Sequence, residues 1–175
     1  MPRVEIRRHA TRQDRDNNLS HLSQAGIEEA RRAGESAGPF DLVVTSPLPR
    51  AIETAVAMGF AVDETARVFQ ELEMTATPAA GWDAGYLAWC EAYHSGRAKG
   101  YADHMAAMVK SLAARVPENG AALVVTHGGL VEACAIGCAP DADHRSWGGH
   151  AGYAEGVSLE FARDGSCTAR VLRLE

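Results

Sequence analysis

Two runs of this chain, LVVT at 42–45 and ALVVT at 122–126, are apolar nearly throughout and rich in β-branched residues, and each passes within a few residues into a helix-forming stretch. A strand with no polar alternation has no face to give to water, so it must be buried on both sides. Helices alternating with such strands predict an α/β fold, a three-layer αβα sandwich around a mostly parallel central sheet.

The other elements follow from local signals. Residues 3–8 read as a strand, with Val4 and Ile6 alternating against Glu5 and Arg7. A polar loop runs over 9–22. A helix follows, with Ser23 as its N-cap, Gly38 closing it and Pro39 preventing its return. The strand at 41–46 leads through Ser46, read as a cap, and Pro47 in the first turn into a helix ending near Gly59. RVFQEL (67–72) reads as a third strand and 75–85 as a Pro- and Gly-rich loop. Residues 86–95 and 101–116 read as helices, and AALVVTHGGLVEACAIG from 121 as strand, sharp turn and helix. A hairpin over 157–163 and 168–174 closes the chain. With no repeat or linker in sight, residues 1–175 are expected to form one domain.

Charge excludes some functions. A formal net charge of −6 argues against nucleic acid or an anionic membrane as partner, since both call for broad basic patches. The charged first twenty residues contain no apolar signal-like stretch, and nothing later approaches a spanning helix, so the expected location is the cytoplasm. Cys90, Cys134, Cys138 and Cys167 form no CxxC pair and read as idle thiols.

In a parallel sheet, ligands bind beyond the carboxyl ends of the strands. Three strand ends here carry RRHAT (7–11), TSPLPR (45–50) and THGG (126–129). Together they bring Arg8, His9, Arg50 and His127 toward one place. Two of them also open helices, whose free N–H groups favour an anion. Guanidinium forks suit the oxygens of a phosphate or carboxylate. One imidazole could attack through a nitrogen while the other donates a hydrogen bond. A pair of unit charges at 4 Å is worth about 4 kcal/mol at an effective dielectric of 20, so several cations around a dianion could stabilise phosphoryl transfer without a metal.

The set RHAT, TSPLPRAIETA and VVTHGG resembles the histidine phosphatase superfamily, with its phosphoglycerate-mutase-like fold, from about residue 3 to 135. The resemblance implies a two-step reaction in which His9 attacks phosphorus and becomes phosphohistidine, while Arg8, Arg50 and His127 bind the phosphoryl oxygens. It also implies a carboxylic acid that protonates the leaving oxygen. FQEL aligns with the family's leucine-x-glutamate-isoleucine pattern and points to Glu71. Glu73 lies two residues on, and spacing alone does not separate the two. Arg12, standing where the family has a threonine, Gly128 and, in the last loop, His150 are further expected substrate contacts. Ala10 replaces the family glycine after the histidine, where a methyl group would crowd the phosphate or shift the backbone. Arg7 replaces an apolar strand residue, with Glu5 as the candidate partner.

His21, His94 and His104 read as surface or structural residues. Asp141, Asp143, His144 and His150 match no standard zinc or calcium spacing, so no metal or other cofactor is expected. Trp82, Tyr86, Trp89 and Tyr93 read as packing. Segment 74–100 reads as a substrate-side insertion and the place to seek selectivity. The function expected is a phosphatase acting on a small phosphorylated substrate or a phosphoprotein. A mutase of the same fold, disfavoured by the short chain, and a non-catalytic phospho-ligand binder are the alternatives.

Overall fold

Every strand read as doubly buried lies inside one sheet. The structure, a computed structural model, describes residues 1–174. In chain order the elements are β1 (Arg3–Arg8), α1 (Gln24–Glu35), β2 (Leu42–Thr45), α2 (Pro49–Ala57), β3 (Glu64–Thr65), α3 (Tyr86–His94), α4 (Lys99–Ala113), β4 (Ala121–Thr126), α5 (Leu130–Cys138), β5 (Gly156–Phe161) and β6 (Cys167–Leu172). The sheet order is β3-β2-β4-β1-β5-β6. The first four strands are parallel to one another; β5 runs antiparallel to β1, and β6 to β5.

Strand alternation sends side chains to two cores. Val4, Ile6, Val44, Ala122 and Val124 meet α3, α4 and α5 on one face. Val43, Leu123 and Val125 meet α1 and α2 on the other. The result is the expected three-layer sandwich. Arg7 shares the second face with Glu5, and the two form a buried ion pair at 2.5 Å. Arg7 also donates to the carbonyl of Ala154 at 2.7 Å, tying the last loop to β1.

Some boundaries differ from expectation. Ser23 caps α1 as read, its Oγ accepting from the Gly26 N–H at 3.0 Å, but the helix stops at Glu35, short of Gly38. Ser46 does not cap α2; Leu48 holds the N-cap position, and the Ser46 hydroxyl is used elsewhere. The third strand is only Glu64–Thr65, and RVFQEL instead forms a 3₁₀ turn at Arg67–Phe69. Val68 and Phe69 are adjacent apolar residues that a strand would send to opposite faces. The turn instead buries Phe69, and its carbonyl accepts the Thr126 hydroxyl proton at 2.5 Å.

Two close approaches fix the segments that reach the top of the sheet. α1 lies so near the polar loop that a Cβ on Gly26 would stand 2.0 Å from the Thr11 carbonyl oxygen. At the start of α5, the fully buried Glu132 reaches back: one oxygen accepts the Gly129 N–H at 2.7 Å, the other the Ala151 N–H at 2.8 Å. Burial pushes the Glu132 carboxyl above its ordinary range, and these N–H donors and the Arg8 charge oppose the shift.

Gly26→Ala improves helix propensity by about 1 kcal/mol, yet the backbone clash outweighs that gain. The expected result in chemical denaturation is a net loss of about 1–3 kcal/mol; a stabilised variant would contradict the contact. Glu132→Gln puts an amide NH₂ where one N–H donor must be accepted. It should cost about 1–3 kcal/mol, measured the same way, and an unchanged midpoint would show that the two bonds hold nothing.

Candidate active site

Because β2, β4 and β1 are parallel neighbours in register, with Thr45 opposite Val125 and Arg8 opposite Thr126, their carboxyl ends lie side by side. The ladders continue past the strands: Ser46 N–H donates to the Val125 carbonyl at 2.9 Å, and His9 N–H to the Thr126 carbonyl at 2.8 Å. The antiparallel β5 starts at this same edge, with Gly156 opposite Arg7, so the loop before it also arrives here. These segments enclose a cavity of about 170 Å³. Arg8, His9, Arg50 and His127 line it as the sequence predicts, and so do Arg12 and Gly128.

His9 is 5 % exposed. Its Nδ1 lies 2.7 Å from the carbonyl oxygen of Ala10, which can only accept, so Nδ1 carries the proton and Nε2 keeps its lone pair. The ring of His127 is 5.2 Å away, centroid to centroid. His127 Nε2 lies 2.7 Å from Ser46 Oγ, which already accepts the Leu48 N–H at 3.2 Å. Among the described residues Nε2 is the acceptor in reach of the hydroxyl's own proton, so that proton goes to Nε2, which leaves Nδ1–H as a buried donor with no protein partner. Burial, then His127, Arg50 and Arg8 nearby, hold the His9 pKa down to about 2 against the opposing Ala10 bond. Burial and the cations Arg50, Arg12 and Arg8 hold that of His127 to about 3. Both imidazoles are therefore neutral at pH 7.

The arginines are anchored without being neutralised. Arg8 donates to the Ala151 carbonyl at 3.1 Å and stacks on the Tyr153 ring at 4.2 Å and the Trp82 ring at 5.1 Å. Arg50 donates to the Asn18 carbonyl at 2.6 Å and to its side-chain oxygen at 3.1 Å. Arg12 donates to the Arg15 carbonyl at 2.7 Å. Among the described residues, no carboxylate pairs with Arg8, Arg12, Arg15 or Arg50, whereas Arg7, Arg31, Arg67, Arg115, Arg163 and Arg173 all pair with one. Burial, with Arg12 beside it, lowers Arg50 to about 10, still charged at neutral pH. The Nε groups of Arg8, Arg12 and Arg50 are buried without partners, as is His127 Nδ1. Unmet buried N–H donors are costly, and four on residues lining one cavity mark a site built for an anion with several acceptor oxygens.

Other expectations change. Glu71 is 66 % exposed at its side chain, pairs with Arg67 at 3.7 Å and does not line the cavity. Glu73 accepts from Thr75 at 2.9 Å, also at the surface. The 3₁₀ turn that buries Phe69 puts Leu72, not Glu71, against the cavity. His150 stays outside as well, its ring edge-on to Trp82 at 6.1 Å, because Arg173 holds the carbonyls of Trp147, Gly149 and His150. Ala10 does not crowd the cavity: its methyl group is buried in the α1–α2 core, and its N–H donates to Thr54 Oγ1 at 2.9 Å. The helix N-termini give the anion less than expected. The Gly129 N–H is taken by Glu132, the Leu48 N–H by Ser46, and Pro49 has none.

Tyr153, Arg15, Asn18 and the role of Ser46 escape a sequence reading; only the TSPLPR match pointed near Ser46. Tyr86, Trp89 and Tyr93 pack in the core as read, but Trp82 also lines the cavity. A Cβ on Gly128 would stand 2.1 Å from the Trp82 ring, so this glycine is what admits the indole. Among the described residues, no three His, Cys, Asp or Glu side chains are grouped to hold a metal ion. The four cysteines are free, and no described helix is long and apolar enough to cross a membrane.

No curated protein matches the chain in sequence. Among solved structures, it is similar to a phosphoserine phosphatase variant from Entamoeba histolytica bound to phosphoserine, with TM-score 0.72 and 17 % identity over 100 % of this chain and 98 % of that one. A mycobacterial glucosyl-3-phosphoglycerate phosphatase gives TM-score 0.67 and 19 % identity over 99 % of each chain. The protein histidine phosphatase SixA with tungstate gives 0.58 and 16 % over 97 % of this chain and 96 % of that one. At these identities the likeness speaks for the fold. The family profile of the histidine phosphatase superfamily, branch 1, matches residues 6–172, and the chain belongs to that superfamily.

Proposed function

We propose that the protein is a metal-independent phosphatase that hydrolyses a phosphorylated small molecule or phosphoprotein through phosphohistidine on His9. The observation that carries this reading is the His9 tautomer: Nδ1–H is held by the Ala10 carbonyl, which leaves Nε2 free beside four carboxylate-free arginines. Family membership supports it. So do the fold neighbours, which are phosphatases named for phosphoserine, glucosyl-3-phosphoglycerate and protein histidine.

In the first step Nε2 bonds to phosphorus as the bond to the leaving group breaks, and the leaving group takes the electron pair. Arg8, Arg12 and Arg50 meet the charge spread over the equatorial oxygens, and His127 Nδ1–H donates to one of them. Water then attacks phosphorus, the N–P pair returns to His9, and orthophosphate leaves. Segment 74–100 supplies Trp82 to the cavity, which supports reading it as the substrate-side insertion within one domain.

Release of p-nitrophenol from its phosphate in EDTA should fall at least about a thousandfold in His9→Ala. Acid-labile, base-stable labelling of the protein should vanish in the same variant. Turnover equal in the two proteins would remove the nucleophile assignment, and no turnover in either would leave a phospho-ligand binder.

The two neutral histidines also set a pH dependence of stability. Their folded pKa values lie below the ordinary 6.5, so below that pH the unfolded chain binds more protons. Their contribution is complete above pH 6.5 and is lost as the pH falls. Between pH 6.5 and 5 it should amount to up to about 2 kcal/mol for each. Denaturation midpoints of His9→Gln and His127→Gln should therefore depend less steeply on pH than the parent's; identical slopes would mean the imidazoles are solvated.

A further inference from the structure

Apart from its cations, imidazoles and Gly128, the cavity has three lining residues: Leu72, Trp82 and Tyr153. Among the described residues, no carboxyl group lines it. Glu71 and Glu73 are engaged at the surface, by Arg67 and Thr75. The buried Glu132 has both oxygens committed to backbone N–H groups.

This matters for bond cleavage, because leaving groups differ in how much they need a proton. An alkoxide leaves as a base comparable to hydroxide, whose conjugate acid has a pKa near 15.7. Protonation by a placed acid is then worth about 10²–10⁴ in rate. A phenolate, with a conjugate acid near pKa 10, or an imidazole, near 6.5, departs without one. The walls fit the same class. Trp82 and Tyr153 present aromatic rings to the cavity and flank the Arg8 guanidinium, the arrangement a planar group can extend by stacking.

Resting on the phosphohistidine reading above, we propose that the site takes phosphoryl groups from planar, weakly basic leaving groups, aryl phosphates and N-phosphorylated imidazoles, and discriminates against alkyl phosphates. His9 Nε2 forms its bond to phosphorus while the P–O or P–N bond breaks. The departing group carries away the electron pair as a phenolate, or as neutral imidazole when its distal nitrogen is protonated, and solvent supplies any further proton. Water hydrolyses the phosphohistidine in the second step.

The test is kcat/KM, which reports the first phosphoryl transfer even if dephosphorylation limits kcat. Phenyl phosphate and phosphoimidazole should both exceed ethyl phosphate and O-phosphoserine by at least about 10², the size of the missing acid's contribution. Glu71→Gln and Glu73→Gln should stay within about twofold of the parent on every substrate, the effect of removing a carboxylate that does no proton transfer. A smaller preference for the aryl and imidazole substrates would overturn the proposal. So would a Glu71→Gln or Glu73→Gln protein that loses alkyl turnover while keeping p-nitrophenyl phosphate turnover. Failure of every substrate, p-nitrophenyl phosphate included, to exceed the His9→Ala control would instead sink the phosphohistidine reading.

Discussion

Like charges repel, and a buried cavity cannot hold several guanidinium groups beside two imidazoles unless something fixes them in place. In this protein the fixing is done by carbonyl dipoles and aromatic faces: Ala151 for Arg8, Asn18 for Arg50, Arg15 for Arg12, with Trp82 and Tyr153 flanking Arg8. A carboxylate would have held each arginine more strongly and cancelled the charge the site exists to present. Neutral anchors give position and leave the field intact. Burial, reinforced by that field, keeps both imidazoles unprotonated, so the Nε2 lone pair of His9 is free without first losing a proton.

That arrangement depends on sheet order. Placing β4 between β2 and β1 puts Ser46, His127 and His9 on neighbouring strand ends, although they are far apart in the chain. Reversing β5 brings the loop with Ala151 and Tyr153 to the same edge. Glu132 then joins the turn after β4 to that loop, and Arg7 joins the loop to β1. The buried Glu5–Arg7 pair is unusual in a strand, and its use is now visible: Arg7 has spare donors for the Ala154 carbonyl, at a residue whose φ of 58° an L-amino acid rarely adopts.

The parts of the fold governed by periodicity were legible in the sequence. Doubly apolar strands can only be interior, and the motifs at the ends of these two and of the alternating strand at 3–8 could meet only if the three ran parallel. What depended on irregular backbone was not legible. RVFQEL has strand composition, but the core on one side takes both Val68 and Phe69, which a turn permits and a strand does not, and that turn moves Glu71 outward and Leu72 inward. Ser46 looks like a cap by position, yet His127 reaches it from a residue 81 positions away. Tyr153 sits in a polar loop with no pattern to single it out. Ala10 seemed a threat to the phosphate because the family has glycine there; its methyl group instead belongs to the core beneath.

Two anchors of Arg8, Ala151 and Tyr153, lie in a loop continuous with β5, and β5 is supported on its outer side by the edge strand β6, where exposed residues alternate with half-buried ones. Edge hairpins fray at lower free energy than a sheet's centre. An opening that carries β5 off with β6 also breaks the Glu132–Ala151 and Arg7–Ala154 bonds and so releases Ala151 and Tyr153 while β1, β2 and β4 remain paired. On warming, the wall that holds the Arg8 guanidinium thus loosens before the helices melt, which makes the ordering of that one side chain a more sensitive thermometer of this fold than its circular dichroism.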